Sequence, residues 1–158
     1  MRHPSLIPLS HDHHHGLALA LKCRKQSLGR IRPMGVEGLE ERAREVKAFF
    51  WQNLVRHFRA EEEVLFPIIR ACASEGRQMV EELIKEHEQI HQEVGRLEEK
   101  AGLSKTLFDL GDLLERHIRR EERELFPLFE NRASATEAER AGKEIEKILG
   151  SGNPKCHS

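Results

Sequence analysis

Apolar residues recur every three or four positions along four long stretches of this chain, and glycine or proline separates the stretches. Such spacing places apolar side chains on one face of an α-helix and leaves the other faces to charged residues. The four predicted helices cover about residues 10–31, 36–73, 78–101 and 104–128. Because the connections between them are short, the pattern predicts an all-α fold, an antiparallel up-down four-helix bundle.

A fifth, shorter amphipathic stretch follows the fourth helix. Thr136 could cap its start, and its apolar face runs from Ile145 to Leu149. We expect this short additional C-terminal helix to pack across the bundle or against one end of it. A glycine-containing segment then ends the pattern, so the sequence predicts a single domain over residues 1–150 and a disordered C-terminal tail over 151–158.

Eleven residues, 57–67, recur in altered form sixty positions later, at 117–127. Each copy places a histidine four residues before a glutamate and ends in Leu-Phe-Pro. On a helix, side chains four residues apart share one face with their Cβ atoms about 5–6 Å apart, so one metal ion could contact both. The proline of each copy lacks a backbone N–H, so we expect a kink or a helix end close to it. The candidate ligands are His57 and Glu61, and His117 and Glu121.

Histidines also lie on the apolar faces of the first and third helices. The third helix carries His87 and His91, four residues apart. In the histidine-rich start of the first helix, His13 and His14 are adjacent, and only one can face the core because each residue turns the helix by about 100°. His14 has leucines three and seven residues later, which matches the apolar surroundings of His87, whereas His13 follows an acidic residue, as His87 does. The pattern favours His14 and keeps His13 as the alternative.

Buried imidazoles and carboxylates cost roughly several kcal/mol when nothing neutralises them, and a bound cation does so. Five histidines and two glutamates are more ligands than one zinc ion takes, and none of the cysteines falls on a predicted ligand face. Carboxylates together with histidines inside a helical bundle are typical of di-iron and di-manganese sites. We therefore predict a centre of two non-heme iron ions, with other divalent metals as alternatives. The adjacent Glu62, Glu86 and Glu122 are interpreted as groups that orient the ligands.

Composition limits the partners of this protein. Lys and Arg number 26, Asp and Glu 27, and the two signs are interleaved, so no basic patch for nucleic acid is expected. No apolar run approaches the ~20 residues of a membrane span and the N-terminus lacks a signal-peptide core, so we expect a soluble, cytoplasmic protein. Three cysteines, Cys23, Cys72 and Cys156, do not suggest a disulfide framework. Because the sequence has no Tyr, tyrosyl-radical chemistry is excluded.

The order of these motifs resembles the hemerythrin-like family of HHE cation-binding domains: a first-helix histidine, His-x-x-x-Glu, His-x-x-x-His, and a second histidine followed by a carboxylate. The resemblance covers about residues 9–130 and implies that Glu61 and Glu121 bridge two irons. True hemerythrins carry aspartate five residues after the fourth-helix histidine, where this chain has Glu122. The match is therefore to the HHE-type pattern, and it implies the metal site more than reversible oxygen carriage. The implied terminal ligands are His87, His91 and His117 on one iron, and a first-helix histidine with His57 on the other.

This resemblance implies a centre that binds or senses dioxygen, nitric oxide or iron. The alternative is a small di-iron oxidoreductase that reduces peroxide or nitric oxide, or that supplies iron for the repair of iron–sulfur clusters. A third hypothesis is a helical bundle whose metal is structural. The expected partners are thus a diatomic ligand or peroxide, with neither nucleic acid nor membrane, and the pattern leaves the oligomeric state open.

Overall fold

The computed structural model describes residues 1–151, and within them every regular element is helical. Short 3₁₀ turns occupy Pro4–Leu6 and Ser74–Gly76. The α-helices are α1 Ile7–Ser27, α2 Gly35–Phe49, α3 Val55–Ala60, α4 Phe66–Cys72, α5 Arg77–Arg96, α6 Leu103–Arg120, α7 Phe126–Arg132 and α8 Ala135–Ser151. The prediction of an all-α protein is confirmed for this part of the chain.

Three π-helical segments join some of these helices end to end. Phe50–Leu54 joins α2 to α3, Glu61–Leu65 joins α3 to α4, and Glu121–Leu125 joins α6 to α7. The protein therefore has four long helices: α1 is the first, α2 to α4 form the second, α5 is the third, and α6 with α7 forms the fourth. Their number agrees with the prediction, although the first helix ends at Ser27 and the third at Arg96, each a few residues earlier than expected.

The two prolines of the repeat do not end their helices. Pro67 and Pro127 lie two residues after the end of a π segment, and the helix continues beyond each of them. In these wider turns the N–H of Phe66 donates to the carbonyl of Glu61, five residues earlier, and the fourth helix repeats this bond. A π turn shifts the backbone hydrogen bond from the residue four positions earlier to the residue five positions earlier. The regular bonding pattern is interrupted there, so a proline, which has no N–H to donate, is tolerated close to it.

The core consists of two apolar clusters placed one above the other along the long helices. One cluster includes Leu19, Phe50 and Leu107, and the other is built around the aromatic rings of Phe66 and Phe126. Buried histidines and glutamates lie between the two clusters in sequence, for example between Leu83 and Ile90 on the third helix or between Leu114 and Leu125 on the fourth. The fold thus holds a polar layer inside an otherwise apolar interior.

The first and fourth long helices pack most closely, and α5 packs against both α6 and α4. Glycine permits the close approach of α1 and α6. A Cβ atom on Gly111 would lie 2.7 Å from the backbone oxygen of Ala20, and one on Gly16 would lie 2.7 Å from Cδ1 of Ile118. Real Cβ atoms essentially never come within 3.0 Å of a neighbour, so position 111 requires glycine at this helix spacing, whereas at position 16 the end of the Ile118 side chain would have to shift.

Helix α8 packs on α3, on the Glu61–Leu65 segment and on the 3₁₀ turn at Pro4–Leu6. Its cap is Ser134 and not Thr136, which corrects the prediction. The N–H of Glu137 donates to Oγ of Ser134 (3.1 Å) and the N–H of Ser134 donates to Oε1 of Glu137 (3.0 Å), a reciprocal capping box. Apart from Ser151, which ends α8, the predicted tail and its Cys156 lie outside the described residues.

Within residues 1–151 no helix combines the length and the apolar character needed to cross a membrane. Cys23 and Cys72 are free thiols. Burial raises the pKa of Cys23 to about 12, so this thiol is not ionised at neutral pH.

Candidate metal centre

Six buried side chains from the four long helices converge between the two apolar clusters. They form two groups of four, and in each group one ligand atom per residue lies within 4.8 Å of all the others. Glu61 and Glu121 belong to both groups. The first group adds His13 and His57, and the second adds His87 and His117.

The two shared carboxylates are divided between the groups. Oε2 of Glu61 lies 3.2 Å from Nε2 of His57, and Oε1 lies 3.0 Å from Nε2 of His87. Glu121 is arranged in the same way, with Oε1 2.9 Å from Nε2 of His13 and Oε2 3.2 Å from Nε2 of His117. Each carboxylate therefore presents one oxygen to each group, which is the disposition of a bridging ligand.

Most of the inner donor atoms lack hydrogen bonds, whereas Nε2 of His13 and Nε2 of His57 lie 3.1 Å from each other. Among residues 1–151, neither oxygen of Glu61 or Glu121 has a hydrogen-bond partner, and the same holds for Nε2 of His87 and His117. Leaving such buried groups unsatisfied costs roughly 1–3 kcal/mol each, and more when they are charged. The nitrogen and oxygen donors thus fit a pair of divalent cations, which would satisfy all of them at once.

The outer nitrogen of each imidazole faces a carboxylate. Nδ1–H of a ring donates to the carboxylate oxygen, so that Nε2 is left as the inward donor atom. These pairs join His13 to Glu122 (2.6 Å), His57 to Asp12 (3.0 Å), His87 to Glu62 (2.6 Å) and His117 to Glu86 (2.7 Å). The orienting role expected for the three glutamates agrees with these contacts. Sequence reasoning missed Asp12, although an acid directly before His13, as before His87, was its signal.

Both copies of the sequence repeat contribute to this one cluster, and they do so in equivalent ways. Phe66 stacks on His87 with 5.7 Å between ring centroids, and Phe126 stacks on His13 at 5.3 Å. Each copy thus supplies a histidine, a shared glutamate, an orienting carboxylate and a stacked phenylalanine. The main difference is Phe58, which lies 3.8 Å from the ring of His87, whereas Ile118 occupies the equivalent position in the second copy.

His13, and not the favoured His14, faces the cluster. His13 is buried and His14 is exposed. Of the two leucines that favoured His14, Leu21 is exposed and Leu17 is only partly buried against a core cluster. The inner face includes small residues, which allow α1 to approach the fourth helix closely; the buried positions are Leu9, His13, Gly16, Leu19, Ala20, Cys23 and Gln26.

His91 is not brought into the cluster either. Its side chain is exposed and lies beside the rings of Phe50 (5.2 Å between centroids) and Trp51 (5.8 Å). Residues four apart on a helix differ by about 40° around its axis. The inward line of α5 runs through His87, Ile90 and Val94, so His91 falls to one side of it.

In the absence of metal, the cluster favours bound protons. Burial lowers the pKa of His57, but the Glu61 carboxylate and the hydrogen bond to Asp12 outweigh it and raise that pKa to about 10. Carboxylates likewise raise the pKa of His13, His87 and His117 in spite of burial. Burial opposes ionisation of Glu121, yet the charge of His117 holds its pKa well below its usual range. The site therefore attracts positive charge.

Comparison of the sequence with known protein families gives a match to a cation-binding domain. The hemerythrin HHE cation binding domain matches residues 6–129, a range that contains all six inner donors. A search of the curated proteins and a search of the solved structures found no match to this chain. Because the family match covers most of the sequence, this chain belongs to the hemerythrin HHE cation-binding domain family.

Proposed function

We propose that this protein binds two iron ions and uses them to bind or sense a small ligand such as dioxygen or nitric oxide. The observation that carries the proposal is the division of two buried carboxylates between two pairs of histidines. His13 and His57 would hold one ion, His87 and His117 the other, and Glu61 and Glu121 would bridge them. The proposed set leaves out His14 and His91, which lie outside the cluster.

The donor types support iron. Imidazole nitrogen and carboxylate oxygen suit iron, and each ion would receive only four protein donors, fewer than an octahedral ion accepts. When bound, iron supplies redox chemistry and open coordination positions for a small ligand. Both free thiols in the described part of the chain, Cys23 and Cys72, belong to or pack against the apolar clusters, so thiolate ligation is not part of the proposal.

The protein's own groups have three tasks in this proposal. Four outer carboxylates orient the imidazoles and direct their unprotonated Nε2 atoms inward. The stacked rings of Phe58, Phe66 and Phe126 exclude water from two of those imidazoles. The four long helices hold the donors in place, and we propose that they form an antiparallel up-down bundle. The contacts of α1 with α6, and of α5 with both α4 and α6, support that order.

The test begins with the metal content. The protein is reconstituted anaerobically with ferrous iron, and iron per chain is measured by elemental analysis, with an expected value near two. Optical spectra are then recorded after addition of dioxygen, nitric oxide or peroxide. We expect bands that form on addition and disappear on removal of the ligand. Steady consumption of peroxide or nitric oxide would instead favour the alternative, a small di-iron oxidoreductase.

Two results would contradict the dinuclear proposal. One is an iron content near one per chain after saturation. The other is zinc in place of iron after expression in iron-replete medium, since each group of four nitrogen and oxygen donors also suits a tetrahedral zinc ion. Either result would favour the hypothesis of a structural metal.

A further inference from the structure

A cavity of about 530 Å³ opens between the second and third long helices, outside the candidate metal centre. Aromatic rings form one part of its wall. Phe50 and Trp51 begin the Phe50–Leu54 segment, and their ring centroids lie 5.1 Å apart at nearly a right angle. His91 packs edge-on against both rings. The π segment that carries these rings lies outside the sequence repeat, so the cavity is a feature of one side of the molecule.

Trp51 is exposed to an extent that is unusual for so large an apolar side chain. About 60% of its surface is accessible, and the neighbouring Val55 is exposed as well. Exposed apolar groups that line a concave surface are typical of ligand sites. A π segment is also a common feature of functional sites. The cavity therefore has the size and the lining of a small-molecule site.

The charges at this cavity are mainly negative. Glu62, Glu63 and Glu88 line it, and among lysines and arginines only Arg59 does so. Arg59 is already paired with Glu63, with 2.8 Å between Nε and Oε2. Within residues 1–151, Glu88 forms no ion pair, and the only one that Glu62 forms is with His87. Two carboxylates are thus left without a lysine or arginine partner beside the aromatic wall.

We propose that this cavity binds a small organic cation with an apolar or aromatic body, of the arylalkyl-ammonium type. The exposed ring of Trp51 would contact the body and attract the charge by cation–π interaction, and the buried rings of Phe50 and Phe58 would lie behind this contact. Glu88 and Glu62 would neutralise it. The proposal depends on the lining of the cavity alone and holds with or without iron in the centre.

The back of the cavity adjoins the candidate metal centre. Phe58 and His87 both line it, and their rings are stacked at 3.8 Å. A bound cation would therefore lie against Phe58, one ring away from a proposed iron ligand. Glu62, which orients His87, is shared between the cavity and the centre.

Trp51 gives a direct reading of occupancy, because it is the only tryptophan in the sequence. Its fluorescence is measured in metal-free protein at pH 8 during titration with three probes of similar size: 2-phenylethylammonium, 2-phenylethanol and phenylacetate. We expect the cation to quench or shift the emission and to bind about tenfold more tightly than the alcohol. Phenylacetate should bind most weakly. Calorimetric titration of metal-free and iron-loaded protein should give similar affinities for the cation.

Variants test the two parts of the site separately. Glu88→Gln should weaken binding of the cation by about three- to tenfold and leave the alcohol unchanged. Glu139→Gln, an exposed carboxylate on α8, is the matched control and should change neither. Trp51→Ala, followed by calorimetry, should weaken both probes.

Equal affinity for the cation and the alcohol, or an unchanged affinity for the cation in Glu88→Gln, would overturn the proposal. Absence of any binding to the wild-type protein would do so too. Iron content is measured independently, so failure here leaves the proposed metal centre untouched, and failure of the metal centre leaves this test valid. Circular dichroism of each variant shows that the helices are retained.

Discussion

Glu121 and the histidines of the centre differ in how many ions each would hold. A bridging carboxylate holds two ions, whereas a terminal imidazole holds one. We therefore expect Glu121→Ala to reduce iron from about two per chain to below one, since both groups of donors lose an oxygen. Glu124→Ala, which removes an exposed acid from the same π segment, should leave iron near two. Elemental analysis of both variants tests this, and two irons in Glu121→Ala would contradict bridging by that residue.

Adjacent histidines on the first helix give a second test at the same scale. His13→Ala should lower iron content by about one ion per chain, because His13 is buried within the cluster. His14→Ala should leave the content unchanged, because that side chain is exposed. His91→Ala should also leave the iron content unchanged, because the side chain of His91 is exposed too. The resemblance to the HHE family had implied that His91 is a ligand. Loss of iron in either of these two variants, measured by elemental analysis, would show that the ligand set is different.

At the scale of the elements, the spacing of α1 and α6 depends on glycine. Gly111→Ala would place a methyl group against the backbone of Ala20, which cannot move aside as a side chain can. We expect a loss of about 1–3 kcal/mol in the free energy of unfolding, although alanine is the better helix former. Urea denaturation measures it.

Gly95→Ala on α5 is the matched control for that substitution. Nothing lies within 4 Å of its Cβ position, so only the helix preference of alanine acts. The expected effect is a gain of up to about 1 kcal/mol. If Gly111→Ala stabilised the protein as much as Gly95→Ala does, α1 and α6 could move apart without cost. The close approach of these two helices would then not contribute to stability.

For the whole molecule, metal and protons compete for the same buried charges. In the metal-free protein the pKa of His57 is raised from its ordinary 6.5 to about 10. A raised pKa contributes stability below pH 6.5 that is lost as the pH rises towards 10. Bound metal supplies the positive charge instead and is not subject to this loss.

The melting temperature should therefore be higher with saturating metal than with a strong chelator, by several degrees. The difference should widen from pH 6.5 to pH 8.5, because over that range the unfolded chain releases the proton that the folded, metal-free protein still holds on His57, and only the metal-free protein therefore loses stability. Differential scanning calorimetry under anaerobic conditions measures both states. If the difference in melting temperature stayed constant or narrowed as the pH rises, it would contradict the idea that protons neutralise the buried carboxylates in the metal-free protein.

The sequence by itself determined the helical class, the number of long helices and five of the six inner donors. Helical periodicity and the His-x-x-x-Glu repeat are local properties, since residues four apart meet on any helix. His57, Glu61, His117 and Glu121 could be predicted for that reason. His87 could be predicted because the inward line of its helix is marked by large apolar residues.

Only the tertiary structure decided which first-helix histidine faces inward and that His91 does not. Both outcomes depend on the rotation of a helix against its neighbours. For α1 that rotation follows from small residues, Gly16 and Ala20, which allow close packing on the fourth helix and carry little apolar signal in sequence. The pairing of Asp12 with His57 and the cavity beside Trp51 join residues from different helices. Side chains that are remote along the chain become neighbours only when the helices pack, so the sequence pattern does not contain these contacts.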